Sequence, residues 1–95
     1  MKAELITQFK DVAPNGDIVE MVVWHVPTPA PPTTHHYKYR LVYIVDNKRV
    51  VGFDNERGKG DHKHWDDIEY PYIFKDIETL IEDFLLEVDK WKNGH

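Results

Sequence analysis

Apolar and polar positions alternate with a period of two through much of the first half of the chain, then switch to a helical period near its end. Glu4 to Lys10 is a short candidate strand. It is followed by Pro14-Asn15-Gly16-Asp17, where Asn-Gly favours the positive φ of a tight turn. Ile18 to Val26 is rich in β-branched and aromatic residues and apolar on both faces, with Ile18, Val22 and Trp24 on one and Val19, Met21 and Val23 on the other. That pattern predicts a central strand covered on both sides, or one with a side covered by a partner or a second copy of the chain.

Pro27 to Thr34 holds four prolines, which remove ladder donors, so it predicts an extended connector. His35 to Val45 is the clearest strand: Tyr37, Tyr39, Leu41, Tyr43 and Val45 form one face, and His36, Lys38 and Arg40 begin the other. Asp46-Asn47-Lys48 is a hairpin turn and Arg49 to Asp54 returns. The register stays open, because two- and three-residue turns pair the faces differently. Tyr70 to Phe74 predicts a short extended piece at a sheet edge. Ile77, Leu80, Ile81, Phe84, Val88 and Trp91 then make one helical apolar stripe, with Asp76 as N-cap, Glu78 in the first turn, Lys90 and Lys92 in the last, and Gly94 just beyond. Burying six such side chains contributes about 1.5–3 kcal/mol each before entropy is subtracted. Strands followed by one amphipathic helix predict an α+β fold: an antiparallel sheet of four to five strands with the C-terminal helix on one face, as a single domain over residues 1–95.

Composition narrows the function classes. Apolar residues make up 41% and charged residues 31%, a globular balance. The chain has no cysteine, which excludes disulfides, thiolate metal sites and a cysteine nucleophile. The charged start Met1-Lys2-Ala3-Glu4 does not read as a secretory signal, and no apolar run approaches the roughly 20 residues needed to span a bilayer. The expectation is a soluble, cytoplasmic protein. The net charge of −5 argues against general nucleic-acid binding, but the charge is uneven. Residues 38–64 carry seven cations (Lys38, Arg40, Lys48, Arg49, Arg57, Lys59, Lys63) against four carboxylates, while residues 76–92 carry six carboxylates against two lysines. A basic patch of this kind binds phosphate locally; alternatively both segments are ordinary solvated faces.

The densest chemistry lies in Phe53 to His64, FDNERGKGDHKH, where only Phe53 reads as a core residue. Read as a loop, its Gly58 and Gly60 flank Lys59 and let backbone N–H groups approach an anion. Arg57 and Lys59 neutralise a phosphate, with Lys38 and Arg40 extending the surface. His62 and His64 titrate near neutral pH and suit acid and base roles; Glu56 and Asp61 join them as candidate proton-transfer groups, and Asp54 and Asn55 orient. These are the parts of a metal-independent phosphodiester-cleaving site that needs no cofactor. A metal reading competes, with His62-x-His64 and Asp61, Asp54 or Glu56 as ligands, although three cations in the segment raise the cost of binding another. In the plainest alternative, Asp54, Asn55 and Gly58 shape a turn and the rest is solvated charge. Elsewhere, His35-His36 either joins the basic face or ends a strand, Tyr37, Tyr39 and Tyr43 either stack bases or fill the core, and Trp65 is either exposed or a lid.

The string His36 to Leu41, the segment Phe53 to His64, Tyr72 and the helix Leu80-Ile81-Glu82-Asp83-Phe84 resemble the TumE-like toxins of prokaryotic toxin-antitoxin systems. The likeness extends to Val23-Trp24 and the proline connector. The family usually has tyrosine where this chain has Phe53, and the missing hydroxyl argues against a catalytic role there. The resemblance implies a small toxin paired with an antitoxin that carries a helix-turn-helix DNA-binding domain. By analogy it implies an RNA target, and hence an endoribonuclease. A non-catalytic anion, RNA or antitoxin binder and a metal-dependent nuclease or phosphotransferase are the alternatives.

Overall fold

The computed structural model describes residues 2–56 and 58–94. Among them are six strands, β1 (Glu4–Val12), β2 (Ile18–His25), β3 (Tyr37–Val45), β4 (Lys48–Glu56), β5 (Gly60–Trp65) and β6 (Ile68–Pro71), followed by one helix, α1 (Ile77–Gly94). The strands pair in chain order as a single antiparallel meander, which is the α+β architecture expected. The sheet exceeds the expected four to five strands for one reason. The polar segment 53–64 is not a loop: it forms the end of β4, a turn and β5, and β6 then adds to β5 as the edge.

Local chemistry sets the turns. Asp46 (φ 52°) and Asn47 (φ 63°) form the two-residue turn between Val45 and Lys48, the left-handed kind whose twist matches a hairpin. This fixes the register that the sequence left open. A bulge between Tyr43 and Ile44 then sends both Val50 and Val51 into the core and brings Arg49 opposite Ile44. In the first hairpin, Gly16 takes φ 94° and the Asp17 N–H donates to Asn15 Oδ1 at 2.9 Å.

The core lies between one sheet face and α1. Val23, Leu41, Val51, Phe53, Leu80 and Phe84 are each at most 1% exposed, and Phe84 meets Phe53 edge to face at 6.0 Å between ring centroids. Tyr39 and Tyr43 belong to this core, so they do not present rings to nucleobases. Trp65 is partly buried against Trp91 at 5.3 Å, which makes it neither exposed nor a lid. Asp76 caps the helix by accepting the Thr79 N–H at 2.7 Å. The β2 pattern resolves as one covered face (Val19, Met21, Val23) and one helix-free face (Ile18, Val22, Trp24), where Trp24 is exposed.

Burial and neighbouring carboxylates push the Tyr39 and Tyr72 hydroxyls well above the usual tyrosine range. Tyr39 donates to Asp61 and Tyr72 to Asp83. The folded state holds these protons at a pH where the unfolded chain releases them. Stability is therefore full below the ordinary tyrosine pKa of about 10 and declines above it. A urea midpoint that falls steadily above about pH 10 is the expected result, and replacing Tyr72 by phenylalanine should flatten that fall.

The proline connector folds back on the β4–β5 turn. The Gly58 N–H donates to the Pro31 carbonyl at 2.7 Å and the Thr33 hydroxyl to Asp61 Oδ1 at 2.9 Å. Gly60 sits at φ 75°, and a Cβ there would lie 3.1 Å from Pro32 Cγ. Gly60→Ala should cost about 1–2 kcal/mol from the left-handed backbone, read as a lowered urea midpoint. An unchanged midpoint would contradict a left-handed backbone at this position.

Candidate functional site: the helix-free sheet face

Strand pleating divides the polar segment into two groups. The odd-numbered residues Phe53, Asn55, Asp61 and Lys63 take the helix side; Asp54, Glu56, Gly60, His62 and His64 take the other. Asn55 is 1% exposed, accepts the Tyr39 N–H at 2.9 Å and donates to the Tyr37 carbonyl at 2.7 Å, so it ties β4 to β3 rather than orienting a histidine of the segment. Asp61 is also turned away from His62 and His64. It accepts from Thr33, from the Tyr39 hydroxyl and from His35 Nε2–H, the last two at 2.7 Å. His35 Nδ1 accepts the Tyr37 N–H, which fixes that tautomer, and its ring stacks on Phe74 at 3.9 Å. This network clamps the connector; it is not the proton-transfer partnership expected of Asp61.

The glycines give backbone shape. The N–H groups of Gly58 and Lys59 are engaged by Pro31 and Glu56, not held open for an anion. Arg57 lies outside the described residues. Of the expected cations, Lys63 turns to the helix and pairs with Glu87 at 2.9 Å, and Lys48 pairs with Asp66 at 2.6 Å, so neither contributes to a basic patch. His36 is exposed, stacks on His25 and contacts the Val26 carbonyl, away from the segment.

What remains on the helix-free face is a compact centre. Asp54 lies across from His62 on one side and from Arg40 on the other. His62 is 4% exposed; its Nδ1–H donates to the Gly60 carbonyl at 3.0 Å and its Nε2 contacts Asp54 Oδ1. His64 Nε2 is 3.8 Å from the same oxygen, and the two imidazoles meet edge to face at 4.9 Å. One ligand atom from each of Asp54, His62 and His64 falls within 4.8 Å of the others. Of the carboxylates considered as ligands from sequence, Asp54 is the one placed with the histidines.

Two contributors, Glu69 and Trp24, were not given a site role from sequence, and a third, Arg49, was read there only as one of the cations of the basic segment. Glu69 on β6 puts Oε1 3.7 Å from His62 Nε2 and Oε2 4.0 Å from Lys59 Nζ. Arg49 lies over Gly52, where a Cβ would be 2.9 Å from its Cδ. A glycine inside a strand is the sequence signal of such a close approach. Trp24 joins Val22, Lys38, Arg40, Asp54 and Glu56 around a groove of about 350 Å³ beside the centre. Burial, then the Arg49 charge, holds the His64 pKa below its ordinary value of about 6.5, so His64 is neutral at pH 7, with one ring nitrogen protonated and the other open to a proton or a cation.

A protein-family model described as Toxin TumE matches residues 2–92 of this chain. No curated protein and no solved structure matches it. No described helix is long and apolar enough to cross a membrane. A match over nearly the whole length, with the 53–64 hairpin inside it, shows that the chain belongs to the TumE family of toxins.

Proposed function

We propose that this toxin acts on RNA as an endoribonuclease, at the Asp54–His62–His64 centre of the helix-free face. The observation that supports it is the placing of two imidazoles and a carboxylate beside a groove with an exposed tryptophan and two cations. Trp24 offers a π-face on which an unpaired base stacks, and Lys38 and Arg40 sit where the flanking phosphates would run. Arg49 and Lys59 border the centre and would counter charge developing on the scissile phosphate. Cutting the strand forms a P–O bond to the attacking hydroxyl oxygen and breaks the one to the leaving oxygen, with one proton leaving the attacking hydroxyl and one reaching the leaving oxygen.

The expected pairing of two histidines as free acid and base receives unequal support. His64 has the right protonation and some access. His62 is buried with both ring nitrogens facing acceptors, which suits holding a group in place better than exchanging protons with a substrate. Toxin-family membership implies an antitoxin; the same reading expects one with a helix-turn-helix domain.

Growth arrest on expression tests the proposal in cells. Wild type should arrest growth, His62→Ala should not, and Lys59→Ala should arrest it less. Undiminished arrest by both variants would remove the assignment.

A further inference from the structure

We infer that Asp54 Oδ1, His62 Nε2 and His64 Nε2 form a binding site for one divalent first-row transition-metal ion. The inference deepens the reading above, and rests on it for the ion's role in RNA cleavage though not for its binding. Four features carry it.

The first is the tautomer of His62. The Gly60 carbonyl can only accept, so Nδ1 carries a proton and Nε2 is the ring nitrogen turned towards the Asp54 carboxylate. At this contact a proton bridges Nε2 and Oδ1, and a metal ion that replaces it would bind the same two atoms after they part. An imidazole whose far N–H is held by a backbone carbonyl is also the usual support of a metal-ligating histidine.

The second is Asp54 Oδ1, which is buried and, apart from this bridge, accepts no hydrogen bond among the described residues. A buried carboxylate oxygen without a further donor is costly, and a metal ion would satisfy it.

The third is spacing. Bonds of about 2.0–2.1 Å in a tetrahedral site place neighbouring ligand atoms about 3.3 Å apart. His64 Nε2 is 3.8 Å from Asp54 Oδ1 and Glu69 Oε1 is 3.7 Å from His62 Nε2, near that spacing, while His62 Nε2 and Asp54 Oδ1 stand closer and must separate by side-chain rotation to admit an ion; Glu69 is positioned as a fourth ligand. The ligands stand on adjacent paired strands, so no backbone movement is required.

The fourth is charge. The cations that would oppose a metal are partly answered: Lys63 is on the other face with Glu87, Arg40 lies 3.6 Å from Glu20 and Lys59 lies 4.0 Å from Glu69, which leaves Arg49, among the described residues, as the cation acting on His64. Two imidazoles with carboxylates select zinc, manganese, cobalt or nickel over magnesium or calcium. Bound there, the ion would polarise a phosphate oxygen or lower the pKa of a water.

The test uses the full chain, stripped with chelator and titrated with Zn²⁺ by calorimetry and with Co²⁺ by visible absorption. One ion per chain is expected, with a cobalt spectrum of mixed nitrogen and oxygen ligation. His64→Ala and the isosteric Asp54→Asn should each weaken binding by about 100-fold or more, beyond the loss of a mere supporting partner, while His36→Ala should leave it unchanged. Circular dichroism of each variant separates lost binding from lost folding, and the wild-type melting temperature should rise with Zn²⁺ while that of folded Asp54→Asn should not. No saturable binding, or binding untouched by both ligand variants, overturns the inference. RNA cleavage that continues in chelator with no metal bound would overturn the ion's role in cleavage and leave the ribonuclease standing. One bound ion that depends on Asp54 and His64, in a protein that leaves RNA intact, supports the site and removes the ribonuclease.

Discussion

Asp54→Asn should reduce RNA cleavage at least about 100-fold, the scale on which a reacting or proton-handling group contributes, and should leave the fold in place. Asparagine keeps the shape of the aspartate. Its amide can donate to the His62 Nε2 that Asp54 Oδ1 now contacts, so the variant removes charge without opening a cavity. The same carboxylate stands between His62 and Arg40 in register and is the shared neighbour of both histidines of the centre. Its loss removes the negative pole of the site, whether a proton or a metal ion balances it. The measurement is initial cleavage rate of a labelled single-stranded RNA, with near- and far-ultraviolet circular dichroism as the folding control. A variant that cuts at the wild-type rate would move the chemistry away from this centre.

Phe84→Ala should cost about 3–5 kcal/mol of stability, the range found for phenylalanine truncation in packed cores. Phe84 is fully buried and packs edge to face on Phe53, so truncation opens a void between α1 and β4, where the helix meets the sheet. Small domains are stable by only about 5–15 kcal/mol, so the variant would sit near its unfolding threshold at physiological temperature. Urea unfolding followed by tryptophan fluorescence reads the loss. A loss below about 1 kcal/mol, ordinary for a surface change, would place Phe84 outside the core.

The two predictions also mark how far the sequence could be read. Phe84 was legible because a helix presents every third or fourth side chain to one side, and six apolar residues at that spacing define the buried stripe without knowledge of what they meet. The Tyr39-Leu41-Tyr43 face was legible for the same local reason with a period of two. His62 and His64, paired from sequence as His62-x-His64, do share a face, because they alternate in an extended strand. The polar segment as a whole misled. Its composition suits a loop, yet β4 and β5 run through it, since within residues 53–64 the helix side takes the odd-numbered residues and leaves the even-numbered ones free to be polar. That pleat separates Asp61 from the histidines next to it in sequence and joins Asp61 to His35, 26 residues earlier. The places of Arg49, Glu69 and Trp24 depend on a bulge, on an added edge strand and on pairing registers, none of which a local pattern specifies, although Gly52 signalled a close approach and Arg49 counted among the cations of the basic segment. The cations expected to form one patch were likewise dispersed by partners on other elements, Lys63 by Glu87 of α1 and Lys48 by Asp66.

The most direct test of the account is cleavage of a uniformly labelled single-stranded RNA by the purified full-length toxin, free of its antitoxin, beside Asp54→Asn purified in parallel. The account predicts discrete fragments from the wild type and intact RNA from the variant over the same interval. Intact RNA from both proteins, with the wild type still arresting growth in cells, would contradict it.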